Sequence, residues 1–165
     1  MSNFNDKLLR NAETLLQQLR AKNLTLSTAE SCTGGLRSAL ITEISGSSEV
    51  FSHGYITYAN AAKTRMLAVP DVLIKTHGAV SEEVAVAMAE GALHASGASI
   101  SIAITGIAGP GGATEHKPVG LVHFASARSG QSTLHQLQHF LGNRSDVRLA
   151  AVKAAMELLQ RQMSR

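Results

Sequence analysis

Ser27-Thr28-Ala29-Glu30-Ser31-Cys32-Thr33-Gly34-Gly35 decides how the rest of the chain is read. The run Leu24-Thr25-Leu26 precedes it, and Leu36-Arg37-Ser38-Ala39-Leu40-Ile41 follows with apolar positions at helical spacing. Strand, tight turn and helix are therefore predicted in succession. The glycine pair lets the backbone bend sharply, and the first free N–H groups of the helix point back into the turn as donors for an anion. A serine at that junction has chemistry within reach. Read in isolation, Ser31 and Thr33 are better explained as helix caps.

The chain of 165 residues is long enough for one domain with a sizeable core and too short for two, so a single domain over 1–165 is expected. Hydrophobic residues make up 44% and charged ones 16%, with 14 Gly and no Trp, which excludes a disordered chain and suits an α/β protein. The formal charge of +3 comes from scattered Lys and Arg with few aromatics, which argues against nucleic acid as a partner. One cysteine forms neither an internal disulfide nor a cysteine metal cluster. The start of the chain is too polar for a signal peptide, and no apolar run reaches membrane-spanning length. A cytoplasmic protein without membrane partners is the expectation.

Working outward, Phe4, Leu8, Leu9, Ala12, Leu15, Leu16 and Leu19 keep to one face of a first helix. After the break at Ser45-Gly46-Ser47-Ser48, Phe51-Ser52-His53-Gly54-Tyr55-Ile56-Thr57-Tyr58 reads as a strand ending at Tyr58. A short helix beginning near Asn60 makes Lys63 an early-turn residue beside that strand end, closed by Pro70, with a turn at His77-Gly78. Ser81 caps an alanine-rich helix running to about Ser96, with Glu82 and Glu83 as dipole partners in its first turn. Ser99–Ile104 alternates as a strand and runs into Thr105-Gly106-Ile107-Ala108-Gly109-Pro110-Gly111-Gly112, a loop able to turn amides inward around an anion. Residues 119–125 and 132–140 form a hairpin about Arg128-Ser129-Gly130, one strand of which runs antiparallel. His135 and His139 share a face there, but no acid or thiol accompanies them, so they are read as surface residues. The last helix covers about Arg144 to Gln160, with Arg144 and Arg148 one turn apart and suited to a phosphate.

These signals coincide in place. Ser31, Tyr58 and Thr105 each follow a strand, and ligands of open α/β sheets bind beyond the C-terminal strand ends where strand order reverses. Ser, Lys and Tyr are also a chemically sufficient set. A lysine kept neutral by burial takes the serine proton while a tyrosine hydroxyl relays or orients it, which makes a metal-free acyl transfer possible.

Thr28–Gly35, Gly54-Tyr55-Ile56-Thr57-Tyr58 with Asn60 and Lys63, His77-Gly78-Ala79-Val80-Ser81, Thr105–Pro110 and Lys117-Pro118-Val119-Gly120 together resemble the CinA C-terminal domain family, over nearly the whole chain. Several motifs in one order are far more specific than any one of them. Since no molybdopterin-binding-like domain precedes these motifs, the stand-alone members are the nearest forms by architecture. The resemblance implies a three-layer α/β/α fold with a mixed five-stranded sheet, a homodimer, and hydrolysis of the carboxamide of nicotinamide mononucleotide to nicotinate mononucleotide and ammonia, without metal or cofactor. By position it makes Ser31 the nucleophile, with Lys63 and Tyr58 assisting. Around the nucleotide it places Glu30, Thr33 and Gly34 of the turn, Thr105, Gly106 and Gly109 of the glycine loop, and Arg144 and Arg148, with Arg148 favoured for the phosphate. A non-catalytic nucleotide-binding module on the same fold is the alternative.

Overall fold

The computed structural model describes residues 4–165; the polar start Met1-Ser2-Asn3 lies outside the described residues. Helix α1 (Asp6–Ala21) begins where the Asn5 side chain accepts from the Leu8 amide, and it buries Leu8, Ala12, Leu15, Leu16 and Leu19 as the periodicity predicts. Each of those large side chains contributes about 1.5–3 kcal/mol relative to exposure. Strand β1 (Leu26–Glu30) and helix α2 (Leu36–Thr42) flank the Ser31 turn. Strand β2 (Phe51–Ile56) and helix α3 (Asn60–Leu67) follow.

Two local readings need correction here. Strand β2 ends at Ile56, not Tyr58, and Pro70 does not close α3, which stops at Leu67 with Ala68 left-handed at φ 54°. Pro70 instead opens a helix that the sequence reading lacked, α4 (Asp71–His77). Its fixed φ suits the first turn of a helix, and Asp71 with Lys75 and His77 complements the dipole. The Ser81 hydroxyl accepts from the Val84 amide, as expected, and starts α5 (Glu82–Ser96). Strands β3 (Ile100–Gly106), β4 (Leu121–Arg128) and β5 (Leu134–His139) complete the sheet, and α6 (Arg144–Met163) closes the chain behind an Asn143/Asp146 capping box.

The sheet is mixed and five-stranded, in the order β2-β1-β3-β4-β5. β2, β1 and β3 are parallel, while β4 runs antiparallel to β3 and β5 antiparallel to β4. From β1 the chain crosses outward to β2 through α2, and it returns past β1 to β3 through α3, α4 and α5. Strand order therefore reverses between β1 and β3, which places Ser31 and Thr105 on either side of the switch point.

Alternation along the strands separates the two cores. Leu26, Ile100, Ile102, Ile104, Val122 and Phe124 face α1 and α6. Ala29, Ala103, Ala125 and Ala127 face α5 together with Leu67 and Ile74. Small side chains on that second face bring α5 close enough for Ser101 Oγ to donate to the Ala89 carbonyl at 2.6 Å and Ser27 Oγ to that of Ala92 at 3.3 Å. Such bonds satisfy hydroxyls that would otherwise be buried unpaired. The result is the three-layer α/β/α arrangement that the motifs imply, and no described helix is long and apolar enough to cross a membrane.

Candidate active site

The Ser31 turn is built around an acid. Glu30 is buried, and its carboxylate accepts from the amides of Gly35 (3.0 Å), Arg37 (3.0 Å) and Ser38 (2.8 Å) and from Ser38 Oγ at 2.6 Å. The positive φ angles of Gly34 (56°) and Gly35 (94°) wrap the chain over that carboxylate, a path that side chains resist. The α2 N-terminus expected to meet a ligand is thus occupied by the protein's own anion. The Ser31 amide extends the β1–β3 ladder by donating to the Ile104 carbonyl at 2.9 Å, which fixes the serine at the sheet edge. The amides of Cys32 and Thr33 donate to no other described residue.

Lys63 comes from the first turn of α3 and is 1% exposed. Its Nζ lies 3.1 Å from Ser31 Oγ, 2.8 Å from the Thr57 carbonyl and 3.4 Å from the Tyr58 carbonyl. No carboxylate pairs with it among the described residues, and burial pushes its pKa down to about 8, against a small opposing pull from Cys32. A lysine in that range is neutral often enough at neutral pH to accept a proton directly from the serine hydroxyl. Neighbouring Cys32 moves the other way. Burial pushes its thiol up to about 12, which disfavours the thiolate form.

Tyr58 does not stand between Lys63 and Ser31. Its side chain is 60% exposed, and its hydroxyl oxygen accepts from Arg144 Nη2 at 2.9 Å. Arg144 Nη1 donates to the Gly109 carbonyl at 2.8 Å, so one guanidinium ties the end of β2 to the glycine loop across the mouth of the site. Thr105 Oγ1 donates to the Ala79 carbonyl at 2.8 Å and draws the Gly78–Ser81 segment onto the sheet. Together these elements enclose a cavity of about 250 Å³ with Ser31, Lys63, Tyr58, Thr105 and Arg144 in its lining.

Gly106 and Gly109 also line this cavity, whereas Glu30, Thr33, Gly34 and Arg148 lie behind it. Arg148 Nη2 donates to the Thr33 carbonyl at 2.8 Å and packs beside Gly34, so the arginine that faces the cavity is Arg144 and not the favoured Arg148. Sequence reasoning missed Ala79 and Val80 as cavity wall, although the His77–Ser81 motif carried them. It also missed Arg37, which is fully buried with all three guanidinium nitrogens lacking a described protein acceptor. Burial lowers its pKa to about 10 while the Glu30 carboxylate pulls it back up. His135 and His139 do not act together: His135 pairs with His123, and His139 Nε2 contacts the Val119 carbonyl at 2.9 Å. No group of three or more described His, Cys, Asp or Glu residues is arranged to hold a metal ion.

Ser31 and the buried Lys63 thus meet at the C-terminal edge of the parallel strands, at the switch point of an α/β sheet. The chain belongs to the family of the CinA C-terminal domain, whose model matches residues 9–163. It is 53% identical over 137 residues to a CinA-like protein of Mycobacterium sp. (strain JLS), covering 83% of this chain and 32% of that protein. It is 55% identical over 125 residues to a CinA-like protein of Colwellia psychrerythraea, covering 76% and 29% respectively. The chain thus spans about a third of the length of the curated relatives it matches. Among solved structures, the competence/damage inducible protein CihA from Agrobacterium tumefaciens superposes with a TM-score of 0.95 at 43% identity, over 100% of both chains. A competence-damaged protein (CinA) superfamily protein from Escherichia coli superposes with a TM-score of 0.90 at 34% identity, over 98% of this chain and 94% of that one.

Proposed function

We propose that this chain is an amidohydrolase that converts nicotinamide mononucleotide to nicotinate mononucleotide and ammonia, serving pyridine-nucleotide salvage. The observation that carries the reading is the 3.1 Å contact between Ser31 Oγ and a buried Lys63 Nζ that no acid among the described residues neutralises. Neutral Lys63 takes the Oγ proton as Ser31 attacks the carboxamide carbon. The amide of Cys32, which lines the cavity, holds the oxyanion, since the other donors of the turn are spent on Glu30 and the backbone or lie behind the cavity. The Lys63 ammonium returns its proton to the departing ammonia, and it then deprotonates the water that cleaves the acyl-serine. No step draws on a metal or a redox cofactor. Tyr58 contributes by orienting Arg144 at the mouth rather than by relaying the proton.

Size and charge support this substrate class. The cavity falls below the roughly 300–1,000 Å³ that encloses a drug-sized ligand, which suits the nicotinamide ring inside and the phosphate at the mouth. Arg144 stands there with no acidic partner among the described residues, a charge suited to a phosphate. The same reading takes the chain as one cytoplasmic domain over 1–165 acting as a homodimer, which light scattering in solution tests. For the chemistry, the test is trapping of the acyl-enzyme. Mass spectrometry of rapidly quenched protein should show a nicotinoyl-type adduct on Ser31, and an adduct-free protein that binds the nucleotide tightly would favour the non-catalytic module.

A further inference from the structure

Lys63 is a buried titratable group without a counter-charge. Its side chain is 1% exposed, and its Nζ meets neutral oxygens, those of the Ser31 hydroxyl and the Thr57 and Tyr58 carbonyls. Few ionisable groups surround it. Cys32 lines the same cavity with a thiol pushed up to about 12 and therefore neutral. Glu30 lies behind the turn, its carboxylate engaged by the Gly35, Arg37 and Ser38 amides and by Ser38 Oγ. At the mouth Arg144 adds a second positive charge, bonded to the Tyr58 hydroxyl and the Gly109 carbonyl. Neither the Ala79–Val80 wall nor the glycine loop brings a titratable side chain, and no Asp or Glu lines the cavity. Two cationic side chains with no acid beside them suit a carboxylate better than a neutral carboxamide.

We propose that the Ser31 cavity is a carboxylate-retaining site, in which protonated Lys63 pairs with the acid group that hydrolysis leaves beside Ser31, so that the product binds more tightly than the substrate and holds the enzyme at rest. This rests on the amidohydrolase reading for the step that forms the acid, though not for the match of charge. That last step fixes where the acid group starts. Lys63 takes a proton from water, the hydroxyl adds to the acyl carbon, the bond from that carbon to Ser31 Oγ breaks, and the Lys63 ammonium returns its proton to Oγ. What leaves Ser31 is a carboxylic acid, one oxygen of which comes from the water that Lys63 deprotonated. Carboxylic acids ionise near about pH 4, well below this lysine, so the acid passes its proton to Nζ. An ammonium–carboxylate pair forms where neither group had a partner of opposite charge. In that pair Lys63 cannot act as a base until the product departs.

The pH dependence follows from the same pairing. An opposite charge within about 4–6 Å shifts such an equilibrium by about 10–1,000-fold. Below pH about 8 the free lysine already carries its proton, so affinity for the carboxylate is level there. Above it, binding must take up a proton, and affinity falls by about tenfold per pH unit.

Titration calorimetry on the Ser31→Ala protein tests this, because neither nucleotide is turned over. At pH 7 nicotinate mononucleotide should bind at least about tenfold more tightly than nicotinamide mononucleotide. Its Kd should hold level to about pH 8 and then weaken by about tenfold per pH unit, while that of the carboxamide changes far less. The same preference should appear between the two ribosides, which lack the phosphate that Arg144 faces. Lys63→Met, shown by its melt to be folded, should erase both the preference and the pH dependence. Equal affinities for acid and carboxamide, or a product affinity flat from about pH 7 to about pH 10, overturn the proposal even if the natural protein releases ammonia. Tight, pH-dependent binding of the carboxylate by a protein that releases no ammonia leaves the carboxylate site standing and removes the amidase reading by itself.

Discussion

Lys63 Nζ sits 3.1 Å from Ser31 Oγ, while the hydroxyl of Tyr58 accepts a hydrogen bond from Arg144. The Lys63 pKa is pushed down to about 8, against about 10.5 in the unfolded chain, and two consequences follow with opposite benefit. A base must be neutral to act, so the rate of the chemical step should rise with pH through about 8 and then level off. For stability, the unfolded chain binds the proton more tightly than the folded one, so stability should increase as pH rises from about 8 to about 10.5. Below pH 8 the whole penalty applies. Lys63→Met should therefore melt above the natural protein at neutral pH, with the gap closing towards pH 10.5, and should lose about 10²–10⁴-fold in rate. Thermal melts at several pH values and a pH–rate profile check both.

Arg144 and Arg148 should separate cleanly. Arg144→Ala should weaken nicotinamide mononucleotide by about 1.5–3 kcal/mol, roughly 10–100-fold, and nicotinamide riboside much less, because only the nucleotide carries the phosphate. Arg148→Ala should lower the melting temperature instead, since it frees the buried Thr33 carbonyl, and should affect both ligands alike. Titration calorimetry with both ligands decides the matter. A phosphate-specific loss in Arg148→Ala alone would reverse the assignment.

Cys32 lines the cavity beside Ser31, yet a thiol pushed up to about 12 is thiolate in only about one molecule in 10⁵ at pH 7. Alkylation of the folded protein at neutral pH should be slow, and Cys32→Ala should keep most of its turnover while Ser31→Ala loses the chemical step. A dead Cys32→Ala beside an active Ser31→Ala would make the cysteine the nucleophile.

Arg37 predicts a gain in stability. A buried guanidinium without a hydrogen-bond partner among the described residues bears its desolvation cost with the Glu30 carboxylate in compensation. Because Glu30 already accepts four hydrogen bonds, it does not depend on Arg37's side chain. Arg37→Met should raise the midpoint of denaturant melts because the four hydrogen bonds to Glu30 remain, and a lower midpoint would show that the Arg37–Glu30 attraction outweighs the guanidinium's desolvation.

The strand, glycine turn and helix around Ser31, the Ser81 cap and the α1 face were legible because each is a local pattern: a β-branched run, a positive φ, a 3.6-residue period. Lys63 was legible only as a position. A lysine in the first turn of a short helix reads as solvated, and what buries it is the approach of Thr57 and the Ser31 turn from elements distant in sequence. Glu30 illustrates the converse. Its place next to the serine suggested a ligand contact, and only the fold shows its four acceptor bonds spent inside the protein. Helix α4 escaped notice because two turns between Pro70 and Gly78 carry too few apolar positions for a period to emerge.

Ammonia release from nicotinamide mononucleotide by the purified protein, measured with chelator present and beside Ser31→Ala, tests the central claim most directly. The Ser31–Lys63 pair predicts steady ammonia production by the natural protein, unchanged by chelation, and none by a Ser31→Ala protein that still binds the nucleotide. Production lost to chelator and restored by a divalent ion, or persisting at the natural rate in Ser31→Ala, would contradict it.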